Sequence, residues 1–212
     1  PTINEIEVPA GTAHPYRDAL RHRHLFYGVI AIFVYVGAEV SIGSFMINYI
    51  SLPDIGNMPE ARAANFVALY WTGAMIGRFV GSGLLRFTDP RRLLALFAGL
   101  AALLVLTTML TSGWLAVGSV VAIGLFNSIM FPNIFTLGIE KLGPLTGRAS
   151  SLLVMAIVGG AVIPLAQGAL ADTFGVHHAF ILPLLCYLFI VFYALNGSLT
   201  ERISPFAGRT HG

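Results

Sequence analysis

Six long apolar segments, separated by short polar breaks, make up most of the chain. They cover residues 25–50, 65–87, 93–111, 114–139, 150–171 and 179–198. Each is close to or longer than the roughly 20 apolar residues that cross a bilayer, and none alternates as a barrel strand does. Because hydrocarbon offers no partner for free backbone amides, each segment is predicted to be a transmembrane helix.

The breaks between the segments contain residues that end helices. Proline, glycine and small polar residues cluster at 53–59, 89–90, 111–113, 141–144 and 172–175, and such short connections favour antiparallel neighbours. Prolines also fall inside the last three segments, where each is expected to kink its helix: Pro132, Pro164 and Pro183.

The two ends of the chain differ from its centre. The polar residues 1–24 predict a mobile cytoplasmic linker, followed by a membrane domain over 25–200 and a cytoplasmic tail over 201–212. The chain begins at Pro1 instead of a start methionine, so we expect it to be part of a longer protein.

Composition supports a lipid environment. Of the 212 residues, 56% are hydrophobic and 10% are charged, against about 45–50% and about 25% in soluble domains. A soluble fold with so few charged residues could not cover its own surface. The single cysteine, Cys186, excludes an internal disulfide and a cysteine-built metal site. The motifs of hydrolases, phosphate loops and nucleotide-binding folds are absent from the sequence, so no enzymatic activity is expected.

Basic residues lie at the ends of the segments and predict the orientation. Ten of the twelve fall in the amino-terminal flank, the second and fourth connections and the tail: Arg17, Arg21, Arg23, Arg86, Arg91, Arg92, Lys141, Arg148, Arg202 and Arg209. Because lysine and arginine accumulate in cytoplasmic loops, both termini are predicted to be cytoplasmic. The same scattered placement forms no continuous basic face, so no nucleic-acid partner is expected.

The second and fifth segments resemble each other weakly. Both are rich in glycine, and the turns that follow end in paired basic or histidine residues at 91–92 and 177–178. A three-plus-three inverted repeat produces this pattern. In the second segment Gly73, Gly77 and Gly81 recur at every fourth position and form a ridge that lets another helix approach closely. Static packing and a sliding contact are both compatible with such a ridge.

Glu39 is the most informative polar residue. It stands about 14 residues into the first segment, so at about 1.5 Å per residue it lies roughly 20 Å from the cytoplasmic edge. A charge at this depth costs several kcal/mol unless it is paired, hydrated or protonated, and such residues usually mark a transport pathway. Its position suits proton exchange; a purely structural carboxylic acid is the alternative. Tyr35, one turn earlier, is the expected partner.

Arg78 is the other charged residue inside a segment. Its helix is predicted to run inward, which places it nearer the cytoplasm than Glu39. Its long side chain is therefore expected to reach Glu140 or Asp89 and not Glu39. A structural or gating role is favoured over contact with a substrate.

Polar and aromatic residues in the other segments indicate a solute site. Asn127 and Phe131 share one face of the fourth segment. An amide beside an aromatic ring suits a sugar, whose hydroxyls need donors and acceptors and whose ring carbons need an apolar surface. Gln167 and Asn48 belong to the same group. Hydrogen bonding between helices is the alternative for the three amides, Asn48, Asn127 and Gln167.

Three stretches resemble one known family. YVGAEVSIGS at 35–44 resembles the seventh helix of the fucose-galactose-glucose:proton symporter family, within the major facilitator superfamily. GAMIGRFVG at 73–81 is similar to the eighth helix, and NSIMFPNIFTLG at 127–138 to the tenth. Together the motifs cover much of the hydrophobic chain.

The resemblance implies an all-α half-bundle of two inverted three-helix repeats, the carboxy-terminal half of a twelve-helix transporter in the bacterial inner membrane. It implies uptake of fucose, glucose or galactose by alternating access, with a proton as coupling ion and no cofactor. The family's proton-linked carboxylates are thought to lie in the amino-terminal half, which this chain lacks. Glu39 is therefore expected to bind either the sugar or the proton.

On this hypothesis the candidate residues divide into two groups. Those expected near the sugar are Glu39, Tyr35, Asn48, Asn127, Phe131 and Gln167. Those expected to serve packing and the cytoplasmic gate are Arg78, Glu140, Gly73, Gly77 and Gly81. The alternatives are a facilitator that exports drugs or metabolites and a six-helix scaffold subunit that transports nothing.

Overall fold

The computed structural model describes residues 15–200, and all of its regular secondary structure is helical. The predicted tail at 201–212 and residues 1–14 of the predicted linker lie outside the described residues. The α-helices are α1 Pro15–Leu20, α2 Arg23–Ile50, α3 Glu60–Leu84, α4 Pro90–Leu110, α5 Gly113–Asn127, α6 Met130–Gly138, α7 Thr146–Met155, α8 Gly159–Phe174, α9 Val176–Ala179 and α10 Ile181–Phe192. Short 3-10 turns occupy Gly143–Leu145 and Ala156–Val158, and a π-turn occupies Tyr193–Gly197.

Five helical runs are long and apolar enough to cross a membrane: Arg23–Ile50, Pro90–Leu110, Gly113–Gly138, Gly143–Phe174 and Val176–Gly197. They correspond to five of the six predicted segments. The remaining one forms α3, whose 25 residues extend about 37 Å at about 1.5 Å per residue. Within the described residues α3 does not meet the same criterion, and it is the helix that carries Glu60, Arg62 and Arg78.

The end of the predicted linker is folded. Residues Pro15–Leu20 form α1, which packs against α7 and buries Ala19 completely. One helical turn and a half is too short for an apolar period to stand out in the sequence. This stretch of the predicted linker is therefore helical and packed against the bundle.

Two predicted spans are interrupted. The fourth divides between α5 and α6; the residues where the two helices meet, Asn127, Ser128 and Ile129, are called here the α5–α6 junction. Pro132 explains part of the break, because it has no N–H to donate to the carbonyl of Ser128 four residues earlier. The fifth span tightens into the 3-10 turn Ala156–Val158 between α7 and α8.

The glycine ridge of α3 packs directly on α5 and the α5–α6 junction. A Cβ at Gly77 would overlap the backbone oxygen of Leu125, and one at Gly81 would overlap the side chain of Ile129. Gly73 faces Leu125 at ordinary contact distance. The predicted close approach of another helix is confirmed, and α3 and α5 pack tightly because these positions have no side chain.

A second glycine contact joins α2 to α8. A Cβ at Gly159 would overlap the backbone oxygen of Phe33, and one at Gly37 would overlap the side chain of Ile163. Two pairs of helices, α3 with α5 and α2 with α8, are thus in backbone contact at glycine. The first of these contacts also brings α3 close enough to the α5–α6 junction for the two to share polar groups.

Connections at the two ends of the bundle confirm that neighbouring helices alternate in direction. At one end Nη2 of Arg91, at the start of α4, lies 2.7 Å from Oε2 of Glu140, just after α6. At the other end the amide of Gly113, before α5, donates to the carbonyl of Asp54, after α2, at 3.0 Å. The beginning of α4 and the end of α6 therefore meet at one end, opposite the turns that follow α2 and α4.

Candidate functional site

An open cavity of about 510 Å³ lies beside α2, α3 and α6. Its lining consists of Tyr35, Val36, Glu39, Arg78, Phe131, Pro132 and Ile157. The volume falls within the roughly 300–1,000 Å³ of small-molecule sites. Two of the seven lining residues are charged and of opposite sign, and the others are aromatic or apolar. Such a surface can bind hydroxyl groups on one side and a carbon ring on the other.

Glu39 and Tyr35 form the polar part of the cavity contributed by α2. The Tyr35 hydroxyl donates to Oε1 of Glu39 at 2.8 Å, as expected for residues four apart on a helix. The predicted pairing of these residues is confirmed. Tyr35 is 1% exposed, whereas Glu39 is half-buried and opens into the cavity. The phenol therefore orients the carboxyl group and leaves it accessible.

Asn127 lies behind the cavity wall. Its side chain is fully buried, its Nδ2 donates to the hydroxyl of Tyr70 at 2.6 Å, and its Oδ1 accepts from the hydroxyl of Tyr187 at 2.7 Å. The amide thus links α5 to α3 and α10. Contrary to expectation Asn127 does not line the cavity, because two tyrosines that have no local relation to it in sequence surround its amide.

The backbone of the α5–α6 junction supplies two more acceptors. The carbonyl of Asn127 accepts from the Tyr35 hydroxyl at 2.9 Å, and the carbonyl of Ser128 accepts from Nε of Arg78 at 3.2 Å. Pro132 leaves the second of these carbonyls without its helical donor. Two cavity-lining side chains therefore bind two successive carbonyls of the junction.

The expectation that Arg78 reaches Glu140 or Asp89 is wrong. Its Nε bonds to Ser128, and its side chain lines the cavity with Glu39. Glu140 pairs instead with Arg91 at 2.7 Å. The carbonyl of Ser128 offers an acceptor at the depth of the cavity, so the guanidinium does not need to extend to the ionic end of the bundle.

Comparison with known proteins finds similarity to sugar transporters. No family model matches it. It is 50% identical over 198 residues to a glucose/galactose transporter of Brucella abortus, covering 93% of this chain and 48% of that protein. It is 36% identical over 181 residues to the L-fucose-proton symporter of Escherichia coli, covering 85% and 41%.

Solved structures agree. The crystal structure of the Escherichia coli fucose:proton symporter FucP matches with a TM-score of 0.83 at 32% identity, over 87% of this chain and 45% of that chain. A second structure, described as FucP of the major facilitator superfamily in the outward conformation, matches with a TM-score of 0.81. The chain thus matches about half the length of sugar transporters of the major facilitator superfamily in sequence and in fold.

These matches agree with the resemblance found in the sequence. The chain is an all-helical, multi-pass membrane protein, and its matched relatives are transporters and not enzymes. It spans about half the length of the curated relatives it matches.

The other candidate residues occupy different places in the structure. Phe131 lines the cavity and stacks on Phe135, with ring centroids 6.2 Å apart. Asn48 is exposed on α2, and Gln167 is fully buried in α8 with neither side-chain polar atom bonded among the described residues. Neither of these amides is part of the cavity lining. Helical spacing relates residues of one helix only, so it does not predict which faces of separate helices meet.

Sequence reasoning missed Tyr70 and Tyr187. Both are fully buried, on α3 and α10, and both bond to Asn127. Tyr70 is the single tyrosine of its apolar segment and Tyr187 shares its segment with Tyr193, and scattered tyrosines of this kind are equally typical of plain packing. The signal in the sequence is that most tyrosines fall inside the apolar segments, where burial is expected. In the structure five of them are at most 1% exposed: Tyr35, Tyr49, Tyr70, Tyr187 and Tyr193. A buried hydroxyl needs a hydrogen-bond partner, which predicts polar groups nearby.

Proposed function

We propose that this chain is the carboxy-terminal half of a twelve-helix sugar:proton symporter that takes up a hexose or deoxyhexose by alternating access. The observation that carries the proposal is the open cavity lined by Glu39, Arg78 and Phe131. The relatives, which are named as glucose/galactose and L-fucose transporters, support the substrate class. Their length, about twice that of this chain, supports a missing amino-terminal half as the partner that closes the cavity.

The chemistry of the lining suits a pyranose. Glu39 accepts hydrogen bonds from sugar hydroxyls, and Arg78 donates to sugar oxygens through the planar guanidinium. Phe131 offers an apolar face to the ring carbons. Tyr35 positions the carboxyl group of Glu39 without having to touch the sugar. A sugar in the cavity would thus bind to α2, α3 and α6 at once.

The same proposal counts α3 as a transmembrane helix, which brings the number of such helices to six. Arg78 makes this helix less apolar, but its guanidinium faces the cavity and Ser128, so the charge avoids the acyl chains. The basic end of the bundle, where Arg91 pairs with Glu140, would face the cytoplasm. Both termini would then be cytoplasmic, in the inner membrane of a bacterium.

The two glycine contacts support an inverted repeat. A pseudo-two-fold axis would exchange α2 with α5–α6, α3 with α7–α8 and α4 with α9–α10. The same axis would exchange the contact of α2 with α8 for the contact of α5 with α3. Both contacts are made through glycine, at Gly37 and Gly159 in one pair and at Gly77 and Gly124 in the other. The membrane domain over 25–200 would therefore consist of two three-helix units.

A transport assay tests the proposal. The complete transporter that carries this chain is placed in vesicles, and labelled fucose, glucose and galactose are offered under an inward proton gradient. We expect accumulation of at least one sugar, and its loss when a protonophore removes the gradient. Vesicles without the protein provide the background. Accumulation of none of the three sugars would contradict the proposal, and thermal stabilisation by lipophilic cations instead of sugars would point to an exporter.

A further inference from the structure

Tyr35 lies between two hydrogen-bond acceptors. Its hydroxyl oxygen is 2.8 Å from Oε1 of Glu39 and 2.9 Å from the backbone oxygen of Asn127. A phenol hydroxyl has one hydrogen to donate, and a backbone carbonyl oxygen only accepts. The two hydrogen bonds therefore compete for that hydrogen unless Glu39 carries a hydrogen of its own.

We infer that Tyr35 is a proton-dependent tether between α2 and the α5–α6 junction, controlled by the protonation of Glu39. While Glu39 is ionised, Tyr35 donates to the carboxylate, because a charged acceptor forms the stronger hydrogen bond. The carbonyl of Asn127 then loses this donor. When a proton from the cavity binds to Oε1 of Glu39, that oxygen donates to the hydroxyl of Tyr35. The hydroxyl in turn donates to Asn127, and α2 is tied to the junction.

The tether acts at the break in the fourth span, where regular helical hydrogen bonding is interrupted between α5 and α6. Asn127 is the last residue of α5, and α6 begins two residues after Ser128. The carbonyl of Ser128 lacks its helical donor because residue 132 is proline, and Arg78 binds it from the cavity. The junction is therefore held by two cavity side chains, and one of them responds to the proton on Glu39.

The buried amide of Asn127 extends the effect to two other helices. Its Nδ2 and Oδ1 are bonded to Tyr70 on α3 and Tyr187 on α10. A displacement of the junction therefore pulls on both helices through short hydrogen bonds. In this way the protonation of one carboxyl group on α2 influences how α3, α5 and α10 pack.

The ionisable groups that face Glu39 come from three helices. Tyr35 is on the same helix, Arg78 and Tyr70 are on α3, and Tyr187 is on α10. Helix α8 also packs against α2 but has no ionisable residue before Asp172, and residues 113–138 have none at all. None of these neighbours is a carboxyl group, so Glu39 is the group of this set that a proton would neutralise. Its carboxyl group opens into the cavity from which the proton would arrive.

A transport measurement separates the tether from ordinary packing; this part of the inference rests on the proposed function. Tyr35→Phe in the complete transporter removes the hydroxyl and nothing else. We expect proton-driven accumulation to fall by about tenfold more than sugar counterflow at equal pH on both sides. An equal fall in both activities would overturn the inference, because the hydroxyl would then serve binding or folding alone.

Tyr49→Phe is the matched control. Tyr49 is also a fully buried tyrosine of α2, and it also donates to a backbone carbonyl, that of Thr108, at 2.6 Å. It lies outside the cavity lining and has no carboxyl group among its hydrogen-bond partners in the described residues. Its accumulation and counterflow should fall by the same factor. A loss of coupling in this variant equal to that in Tyr35→Phe would also overturn the inference.

Infrared difference spectra between acid and alkaline buffer provide a test that needs no transport. The C–O stretching band of Tyr35, identified by its loss in Tyr35→Phe, should shift as the carboxylic acid band of Glu39 appears. In Glu39→Gln the tyrosine band should stay in place. A tyrosine band that does not move with the carboxyl band overturns the tether, even in a protein that transports sugar. A band that moves in a protein that transports no sugar supports the tether and rejects the proposed function.

Discussion

Arg78 donates from Nε to the backbone oxygen of Ser128 at 3.2 Å, in the position where an unbroken helix would bring the amide of residue 132. That residue is Pro132, which has no amide hydrogen. The missing donor leaves a carbonyl open beside the cavity, and an arginine of the neighbouring helix binds it. A proline break and a charged residue inside the membrane, which are separate features of the sequence, form one structural unit.

Pro132→Ala tests this unit. The new amide can donate to Ser128 and competes with Arg78, so we expect the free energy of unfolding to rise by about 1 kcal/mol. Sugar uptake should slow because the guanidinium loses its position in the cavity. Thermal unfolding and initial uptake rates measure the two effects. Pro183→Ala is the control, since Pro183 is likewise the third residue of its helix but lies outside the cavity lining. Normal uptake by Pro132→Ala would contradict this account of Arg78.

Glu39→Gln retains the size of the side chain and removes its ability to ionise. We expect proton-driven accumulation to fall by about tenfold or more, since a charged acceptor becomes neutral. The remaining uptake should depend less on pH. Uptake at several pH values measures both effects. Asp54→Asn, which neutralises an exposed carboxylate in the turn after α2, should behave like the unmodified protein. Undiminished, pH-dependent uptake by Glu39→Gln would exclude this residue from binding and coupling.

Gly77→Ala should destabilise the contact between α3 and α5. The added Cβ overlaps the backbone oxygen of Leu125, which cannot move away as a flexible side chain can. Overpacking of this kind costs about 1–3 kcal/mol, which thermal unfolding in detergent would detect. Gly83→Ala is the matched control on the same helix, where a Cβ meets nothing within 4 Å. Equal stability of the two variants would show that α3 and α5 are packed less closely than described.

Asn127→Ala should destabilise the protein, because Tyr70 and Tyr187 would lose their hydrogen bonds to the amide of Asn127. The hydroxyl of Tyr187 would lose its acceptor, and a buried unsatisfied polar group costs about 1–3 kcal/mol. Tyr187→Phe in the same protein should then cost little more, so the two changes would not be additive in a double-mutant cycle. Asn48→Ala, at an exposed position of α2, should stay within about 0.5 kcal/mol of the parent. Additive losses would argue against the hydrogen bond.

Much of the fold was predictable because its signals are local. The segment lengths, the glycine and proline breaks and the charge gaps lie within single helices, and five of the six predicted segments recur as membrane-length apolar helices. The pairing of Tyr35 with Glu39 was also predictable, since residues four apart meet on one helix face. The short helix Pro15–Leu20 was missed because six residues are too few for a period to show.

The site was predictable only in part. Glu39, Tyr35 and Phe131 line the cavity, whereas Asn127 and Gln167 are buried away from it and Asn48 is exposed outside its lining. The polar residues of each helix were visible in the sequence. Which of them share an opening depends on how α2, α3 and α6 are rotated against one another, and that rotation is set by packing between helices.

The sequence by itself determined that this chain consists of membrane-length apolar helices, roughly where the long ones lie, and that Glu39 is a costly polar group inside one of them. These properties depend on the chemistry of residues near one another in the chain. The tertiary structure alone decided that Tyr35 faces both Glu39 and Asn127, and that Arg78 binds the carbonyl left open by Pro132. Those contacts join residues as many as 92 positions apart, so they depend on how separate helices are rotated and packed against one another.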